Sequence, residues 1–238
     1  MLTREQMEEL AQFDTPTVCN ALERFGCRKN TEGYMFPGMT LRTSNRKAIV
    51  GYAVTAKVSG KHPISDELKN ENIMGYYACV RAIGVSTIAV IQDIDDKPCA
   101  SFWGEVQATV HRALGCVGAV TQGGVRDIRE VDQLGFTLLS TAICVSHGYI
   151  HVEDFHCPVS ILGLDIVPGD LLHADEHGVV KIPPEAAGAL ADACRAVIAS
   201  ELPLLEPCRA AIRNQVKPTM EEIAAWRGDM AQRRSTGK

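Results

Sequence analysis

The hydrophobic pattern of the chain switches between two periods. Residues 48–58 are rich in Val, Ile, Tyr and Thr and read as a strand. The shorter apolar runs 87–91, 116–121 and 136–139 read as further strands. Helical spacing fills the gaps, over residues 72–83, 103–114 and 127–134, and each of these segments stops at a glycine: Gly84, Gly115 and Gly135. Residues 62–66 read as a loop and residues 122–125 as a flexible turn. Strand and helix in alternation predict parallel strands with helical crossovers, hence an α/β fold.

The ends of the chain read differently. Thr3-Arg4-Glu5-Gln6 has the pattern of a capping box. Thr15-Pro16 opens a second helix that should stop near Gly26. Beyond residue 143 short strands are expected at 171–173 and 179–182, with turns at Val167-Pro168-Gly169-Asp170 and Asp175-Glu176-His177-Gly178. Pro183-Pro184 then starts a helical region over 185–202, and another helix is expected at 219–232. No repeat or low-complexity linker interrupts the 238 residues, so they are expected to form one domain with helical N- and C-terminal extensions.

Composition narrows the function classes. Hydrophobic residues make up 46% and aromatics only 5%, so the core must be largely aliphatic. A net charge of −5 with no basic run argues against nucleic acid as a partner. No stretch of about 18 apolar residues is present, so no membrane association is expected. The charged N-terminal stretch MLTREQMEEL does not read as a leader. Nine cysteines, an odd number without a CxxC pair, argue against a disulfide framework or zinc knuckle and for a reducing cytoplasm.

The chemistry concentrates in Gly104-Glu105 and, twenty residues on, Arg126-Asp127. Both pairs fall where strands end and helices begin, the edge at which open α/β sheets gather ligands. Asp127 and Glu105 are hard oxygen ligands suited to Mg²⁺ or Mn²⁺. Arg126 can hold a carboxylate or stabilise an enolate oxygen. That combination suits cleavage of a carbon–carbon bond beside a ketone. The same residues also admit a plain reading, because Asp127-x-x-Glu130 resembles a capping box. Asp93, Asp95 and Asp96 read as a solvated loop, with added metal ligands as the alternative. His173 and His177 read as structural. Ser146-His147-Gly148 leaves three roles open for His147: a pocket wall, a buried structural residue, or a phosphate carrier.

Taken together, Trp103-Gly104-Glu105 and Gly124-Val125-Arg126-Asp127 resemble the family of the ribonuclease E activity regulator RraA, which includes the class II 4-hydroxy-4-methyl-2-oxoglutarate aldolases. The likeness continues in the run from Asp14 to Leu22, in Leu134-Gly135-Phe136, in Pro168-Gly169-Asp170 and in the run from Asp175 to Val180, so it covers a core of about residues 10–185, leaving a C-terminal helical extension of about 185–238. The resemblance implies a swivelling β/β/α sandwich-type fold assembled as trimers or hexamers, with the site near a subunit interface. It implies a metal-dependent lyase acting on a small 2-oxo acid, releasing pyruvate from a 4-hydroxy-4-methyl-2-oxoglutarate-like substrate and also decarboxylating oxaloacetate. It further implies that Asp127 binds the metal directly, with Glu105 and Glu201 reaching it through water. Arg126 would bind the ketone oxygen, and the backbone N–H groups after Gly104, those of Glu105, Val106 and Gln107, would take the carboxylate. Glu206 competes with Glu201 for the C-terminal role. Some relatives instead act as non-catalytic regulators that bind ribonuclease E or another protein. Gln122, where many members carry an acid, and the C-terminal tail are departures that bear on the substrate.

Overall fold

The computed structural model describes residues 1–236. Two short helices open the chain, α1 (Arg4–Leu10) and α2 (Thr15–Leu22). Each has the cap its sequence encodes: Thr3 and Gln6 form the reciprocal capping box, and Asp14 accepts from the Thr17 N–H at 2.7 Å. The short β1 (Thr40–Leu41) precedes β2 (Ile49–Ser59). Then come α3 (Asp66–Ala82), β3 (Thr87–Asp93), β4 (Ser101–Trp103), α4 (Glu105–Ala113), β5 (Cys116–Val125), α5 (Ile128–Gln133) and β6 (Thr137–Ile143). Five short strands follow: β7 (His151–Phe155), β8 (Val159–Ile161), β9 (Leu164–Ile166), β10 (Leu171–Asp175) and β11 (Gly178–Ile182). Helices α6 (Pro184–Ala187), α7 (Leu190–Arg213) and α8 (Met220–Thr236) end the described chain.

The main sheet runs β1-β6-β5-β3-β2-β10-β11. Its centre, β6-β5-β3-β2, is parallel, as the alternating sequence predicts, and β4 adds in parallel to the far end of β5. One edge of β2 pairs with β3; the other is shared between β10, at Ile49 to Tyr52, and β7, at Ala56 to Ser59. At the outer end of the sheet, Tyr34 bridges Val180 on β11 and Lys181 donates its N–H to the Gly33 carbonyl at 2.9 Å.

Both faces of the parallel centre are covered, which explains its continuous apolar runs. Along β3, Ala89 and Ile91 face a core that includes Tyr76 of α3, Trp103, Ala108 of α4 and Phe136, while Ile88 and Val90 face a second core completed by Ile161 and Ile166 of the β8–β9 hairpin. Sheet, hairpin layer and helix layer give the β/β/α sandwich. The N-terminal helices and α7 bury a third cluster, with Leu10, Val18, Leu22, Leu190 and Cys194, against β2, β10 and β11.

One histidine sits inside the helix-side core. His111 of α4 is fully buried, 4.6 Å from the Trp103 ring centre. Its Nδ1 lies 2.7 Å from the Gln107 carbonyl, which can only accept, so Nδ1 carries the hydrogen. Nε2 is then the acceptor for the Tyr76 hydroxyl at 3.0 Å. Burial pushes the His111 pKa down from 6.5 to about 4, outweighing the Gln107 contact.

Four sequence expectations are corrected. The segment 62–66 ends in a helix start, because Ser65 caps α3 by accepting the Leu68 N–H at 3.2 Å, so α3 begins six residues earlier than residue 72. Residues 101–103 form β4, and α4 starts only at Glu105. Residues 122–125 continue β5 instead of forming a flexible turn; the register shifts between Thr121 and Gly124, and a Cβ on Gly124 would sit 2.5 Å from Cys144 Cβ, so glycine there permits close strand packing. Finally, α7 runs past residue 202 through Pro203 and Pro207, with α8 packed along it.

Two expected outcomes follow from this packing. A Cβ at Gly118 would lie 2.6 Å from the Thr137 carbonyl oxygen and the same distance from Ile49 Cδ1, and main chain cannot move aside cheaply. Gly118→Ala should therefore lose about 1–3 kcal/mol in urea unfolding. For His111 the unfolded chain binds a proton near pH 6.5 and the folded chain only near pH 4, so stability is intact above 6.5 and falls as pH drops toward 4. The full loss is about 3 kcal/mol. His111→Gln should flatten this part of the stability–pH curve; an unchanged slope would contradict the assignment. Part of the slope should survive through His173, which burial shifts in the same direction.

Candidate active site

Strands β4 and β5 are parallel partners, with Trp103 opposite Val125, so the segments that follow them leave the sheet side by side. The Arg126 N–H donates to the Trp103 carbonyl at 2.9 Å and fixes this exit. Asp127 comes next, in the left-handed region at φ 52°, ψ 39°. Aspartate visits that region more readily than most residues, yet at some cost. The turn sends its side chain away from α5, where it makes no capping hydrogen bond. The capping-box reading of Asp127-x-x-Glu130 is thus set aside. Instead, Asp127 Oδ2 accepts the Glu105 N–H, at the start of α4, at 3.1 Å.

Gly104 makes this crossing possible. A Cβ there would stand 2.5 Å from Asp127 Oδ2 and 3.3 Å from Arg126 Nε. Arg126 Nε lies 3.7 Å from the same Oδ2, with the two side chains 38% and 36% exposed. At that exposure and distance the pair contributes little to stability. Asp127 Oδ1 has no hydrogen-bond partner among the described residues, and neither do the Val106 and Gln107 N–H groups in the first turn of α4.

These groups share one cavity of about 550 Å³, whose wall includes Gly104, Val106, Gln107, Arg126 and Asp127. Lys69 and Tyr77 of α3 line it too, as do His147 and His151. A larger groove of about 740 Å³ lies at the opposite, amino-terminal ends of the strands, lined by Arg4, Lys47 and Arg112 among others. It holds none of the converging groups. The smaller cavity is the better candidate, because it sits at the carboxyl ends of parallel strands and combines free carboxylate, guanidinium and helix N–H groups.

The other residues singled out from sequence divide as follows. Glu105 is exposed at the first position of α4, beside the cavity but not on its wall. Glu201 lies on α7, where its Oε1 pairs with Arg234 at 2.7 Å, and Glu206 pairs with Arg209 on the same helix. Neither lines the cavity within this chain. His147 does, and its Nδ1 contacts the Gly148 carbonyl at 2.8 Å. His173 is buried against Thr15 Oγ1 at 2.9 Å, in keeping with a structural role. His177 donates to Asp175, whose two oxygens are also engaged by the Thr15 and His177 N–H groups.

The acidic loop is more ordered than a solvated turn. Asp95 accepts from the Ser59 hydroxyl at 2.7 Å and the Gly60 N–H at 2.8 Å; burial opposes its charge, but these bonds hold its carboxyl below the ordinary range. Asp93 is almost fully buried, which pushes its carboxyl up. Only Asp96 stays exposed. Sequence reading missed Tyr77, Lys69 and His151 as wall residues. The available signal was Ser65 followed by Asp66 and Glu67, which marks the start of α3 and so places Lys69 and Tyr77 on one helix. The ring nitrogens of His151 face the Tyr149 carbonyl and Glu153 Oε1, each at 2.8 Å.

The chain is similar to several known proteins. Over 187 residues, 76% of the chain, the sequence is 34% identical to a putative 4-hydroxy-4-methyl-2-oxoglutarate aldolase of Halalkalibacterium halodurans, of which it covers 80%. A shorter match, 32% identical over 101 residues, takes in 41% of the chain but only 16% of protein DlpA of Legionella pneumophila. Among solved structures, RraAS2 of Streptomyces coelicolor, described as an unusual member of the RNase ES inhibitor RraA family, superposes with a TM-score of 0.62 at 20% identity, covering 80% of this chain and 90% of that one. Residues 15–181 match the family described as RraA-like, Aldolase/RraA, and the chain belongs to that family.

Proposed function

We propose that the chain is a divalent-metal-dependent lyase that cleaves a 4-hydroxy-2-oxo acid, of the 4-hydroxy-4-methyl-2-oxoglutarate type, to pyruvate. On this reading the same site also decarboxylates oxaloacetate. The observation that carries the proposal is Asp127. Its strained backbone aims a carboxylate away from its own helix and sets Oδ2 beside a guanidinium in a cavity, while Oδ1 has no hydrogen-bond partner among the described residues.

A hard cation fits that donor set. Asp127 would hold Mg²⁺ or Mn²⁺ directly, while Glu105 would act through water from the rim, as would Glu201 of a neighbouring subunit in a trimer or hexamer. When bound, the metal supplies Lewis-acid polarisation of the substrate's ketone oxygen.

The chain's own groups supply the rest. The free N–H groups of Val106 and Gln107, at the positive end of α4, suit the 2-oxo acid's carboxylate. The Glu105 N–H, expected to share that task, is already taken by Asp127. Arg126 stands where it can hold the oxygen on which negative charge grows as the C3–C4 bond of the substrate breaks, and the charge-assisted hydrogen bond strengthens as the enolate forms. As that bond breaks, the 4-hydroxyl gives its proton to solvent and its carbon becomes the carbonyl of the departing fragment; protonation of the enolate carbon by solvent completes pyruvate. In the decarboxylation the same enolate forms as CO₂ departs. Nine free cysteines support a cytoplasmic setting.

A coupled assay of pyruvate release tests this reading. EDTA should abolish turnover and excess Mg²⁺ restore it. Asp127→Asn, which tolerates the left-handed backbone, should remove at least about 10³-fold of kcat/KM, and Arg126→Ala about 10²–10³-fold. Wild-type-like turnover by Asp127→Asn would rule the assignment out. The rival reading, a regulator that binds ribonuclease E or another protein, predicts no pyruvate release from any substrate. Independently of activity, Asp127→Gly should be about 1 kcal/mol more stable than Asp127→Ala in urea, because only glycine relieves the left-handed strain.

A further inference from the structure

Gln107 occupies an unusual place in the first turn of α4. Its carbonyl oxygen is fixed by the buried His111 Nδ1 at 2.7 Å, which ties this turn to the core. Its side-chain carbonyl, Oε1, accepts the Tyr77 hydroxyl of α3 at 2.7 Å. An amide has one carbonyl and one NH₂ group, so a Tyr77-bound Oε1 leaves Nε2 and its two hydrogens pointing elsewhere. Nε2 finds no acceptor among the described residues, and Gln107 lines the cavity that holds Arg126 and Asp127. Half-burial of Tyr77 pushes its hydroxyl pKa up, so it stays a neutral donor across the physiological range.

The charge on the cavity wall points the same way. Asp127 is the sole carboxylate there, against the cations Lys69 and Arg126. The Lys69 ammonium makes no ion pair or side-chain hydrogen bond among the described residues. At about 550 Å³ the cavity is far roomier than a pyruvyl unit requires, so it has room for the fragment on the other side of the breaking bond.

We propose that the Gln107 side-chain amide, oriented by the Tyr77 hydroxyl, is the specificity-determining donor for that second fragment, and that it selects fragments ending in a carboxylate, with Lys69 as the balancing charge. Gln107 would then serve both ends of the substrate: its main-chain N–H faces the 2-oxo acid carboxylate, and its side chain reaches the far one. Tyr77 is a positioning residue, acting only through Gln107. This inference rests on the lyase reading of the same site.

The test uses the full chain with Mg²⁺ and two 4-hydroxy-2-oxo acids, one ending in a carboxylate and one in a methyl group. The quantity read is the ratio of their kcat/KM values. Gln107→Glu places a like charge against the terminal carboxylate and should lower the ratio about tenfold or more; Gln107→Leu should lower it by removing the donor. Tyr77→Phe should lower it in the same direction, mainly through KM, and should add nothing further in the Gln107→Leu background. A merely structural role would depress both substrates together and leave the ratio where it was. An unchanged ratio in Gln107→Glu, or an additive effect of Tyr77→Phe on Gln107→Leu, would overturn the inference. Calorimetric binding of oxalate, which mimics the pyruvate enolate, separates the two levels. If the wild type binds oxalate and releases pyruvate while Gln107→Glu leaves the ratio unchanged, the inference alone fails. If the wild type does neither, the lyase reading fails and takes the inference with it.

Discussion

A single backbone conformation organises the candidate site. Asp127 follows β5 with a positive φ, and from that one residue come the direction of its carboxylate, the hydrogen bond to Glu105 and the need for glycine at position 104. An extended residue at this position, like the caps Thr3, Asp14 and Ser65, would cap α5, and the carboxylate would belong to the helix. The left-handed turn takes the side chain out of local service. Strain of this kind persists only where the surroundings over-determine it. Here they do so through the β4–β5 pairing and the Arg126-to-Trp103 hydrogen bond, which hold the two exits from the sheet in register.

The support beneath the site is aromatic and neutral. Trp103 lies at the end of β4 with its ring against His111 and Phe136, and the histidine is locked between the Gln107 carbonyl and the Tyr76 hydroxyl. Position 103 therefore joins core and cavity edge: its side chain is core, and its carbonyl receives Arg126. In a chain with few aromatics they are concentrated where rigidity is required, since a shift of the first turn of α4 would displace the free N–H groups facing the cavity.

Much of this was legible in the sequence. The parallel centre could be read because strands buried on both faces carry continuous apolar runs and their helices end on glycine. The pairing of Gly104-Glu105 with Arg126-Asp127 could be read because residues after parallel strands lie at one edge of the sheet. What could not be read depends on tertiary contact. β4 has three residues, too few to show a period, and exists because β5 offers it an edge. Residues 122–125 carry the glycines of a turn, but Gly124 serves to let Cys144 and Ala100 approach the strand closely, and Gly123 lies against Asp93. Asp127 carries a helix cap's signature and its chemistry also fits a ligand; only the backbone angle decides which. The contribution of Lys69 to the cavity wall is hidden because the first turn of α3 is polar and shows no apolar period, and Tyr77, in a helix the sequence does predict, is brought to the wall by tertiary contact with Gln107.

The ends of the sheet carry a consequence for self-association. β1 is two residues long, and β11 is covered along its outer side by Tyr34 and the Gly33 carbonyl. β2 has no vacant side, since β10 and β7 divide the one that β3 leaves. The two ends of the strand order thus offer little edge to a strand from another molecule, the usual route by which exposed strands recruit copies of themselves, whereas β7, which among the described residues pairs with no strand but β2, has an edge without a strand partner.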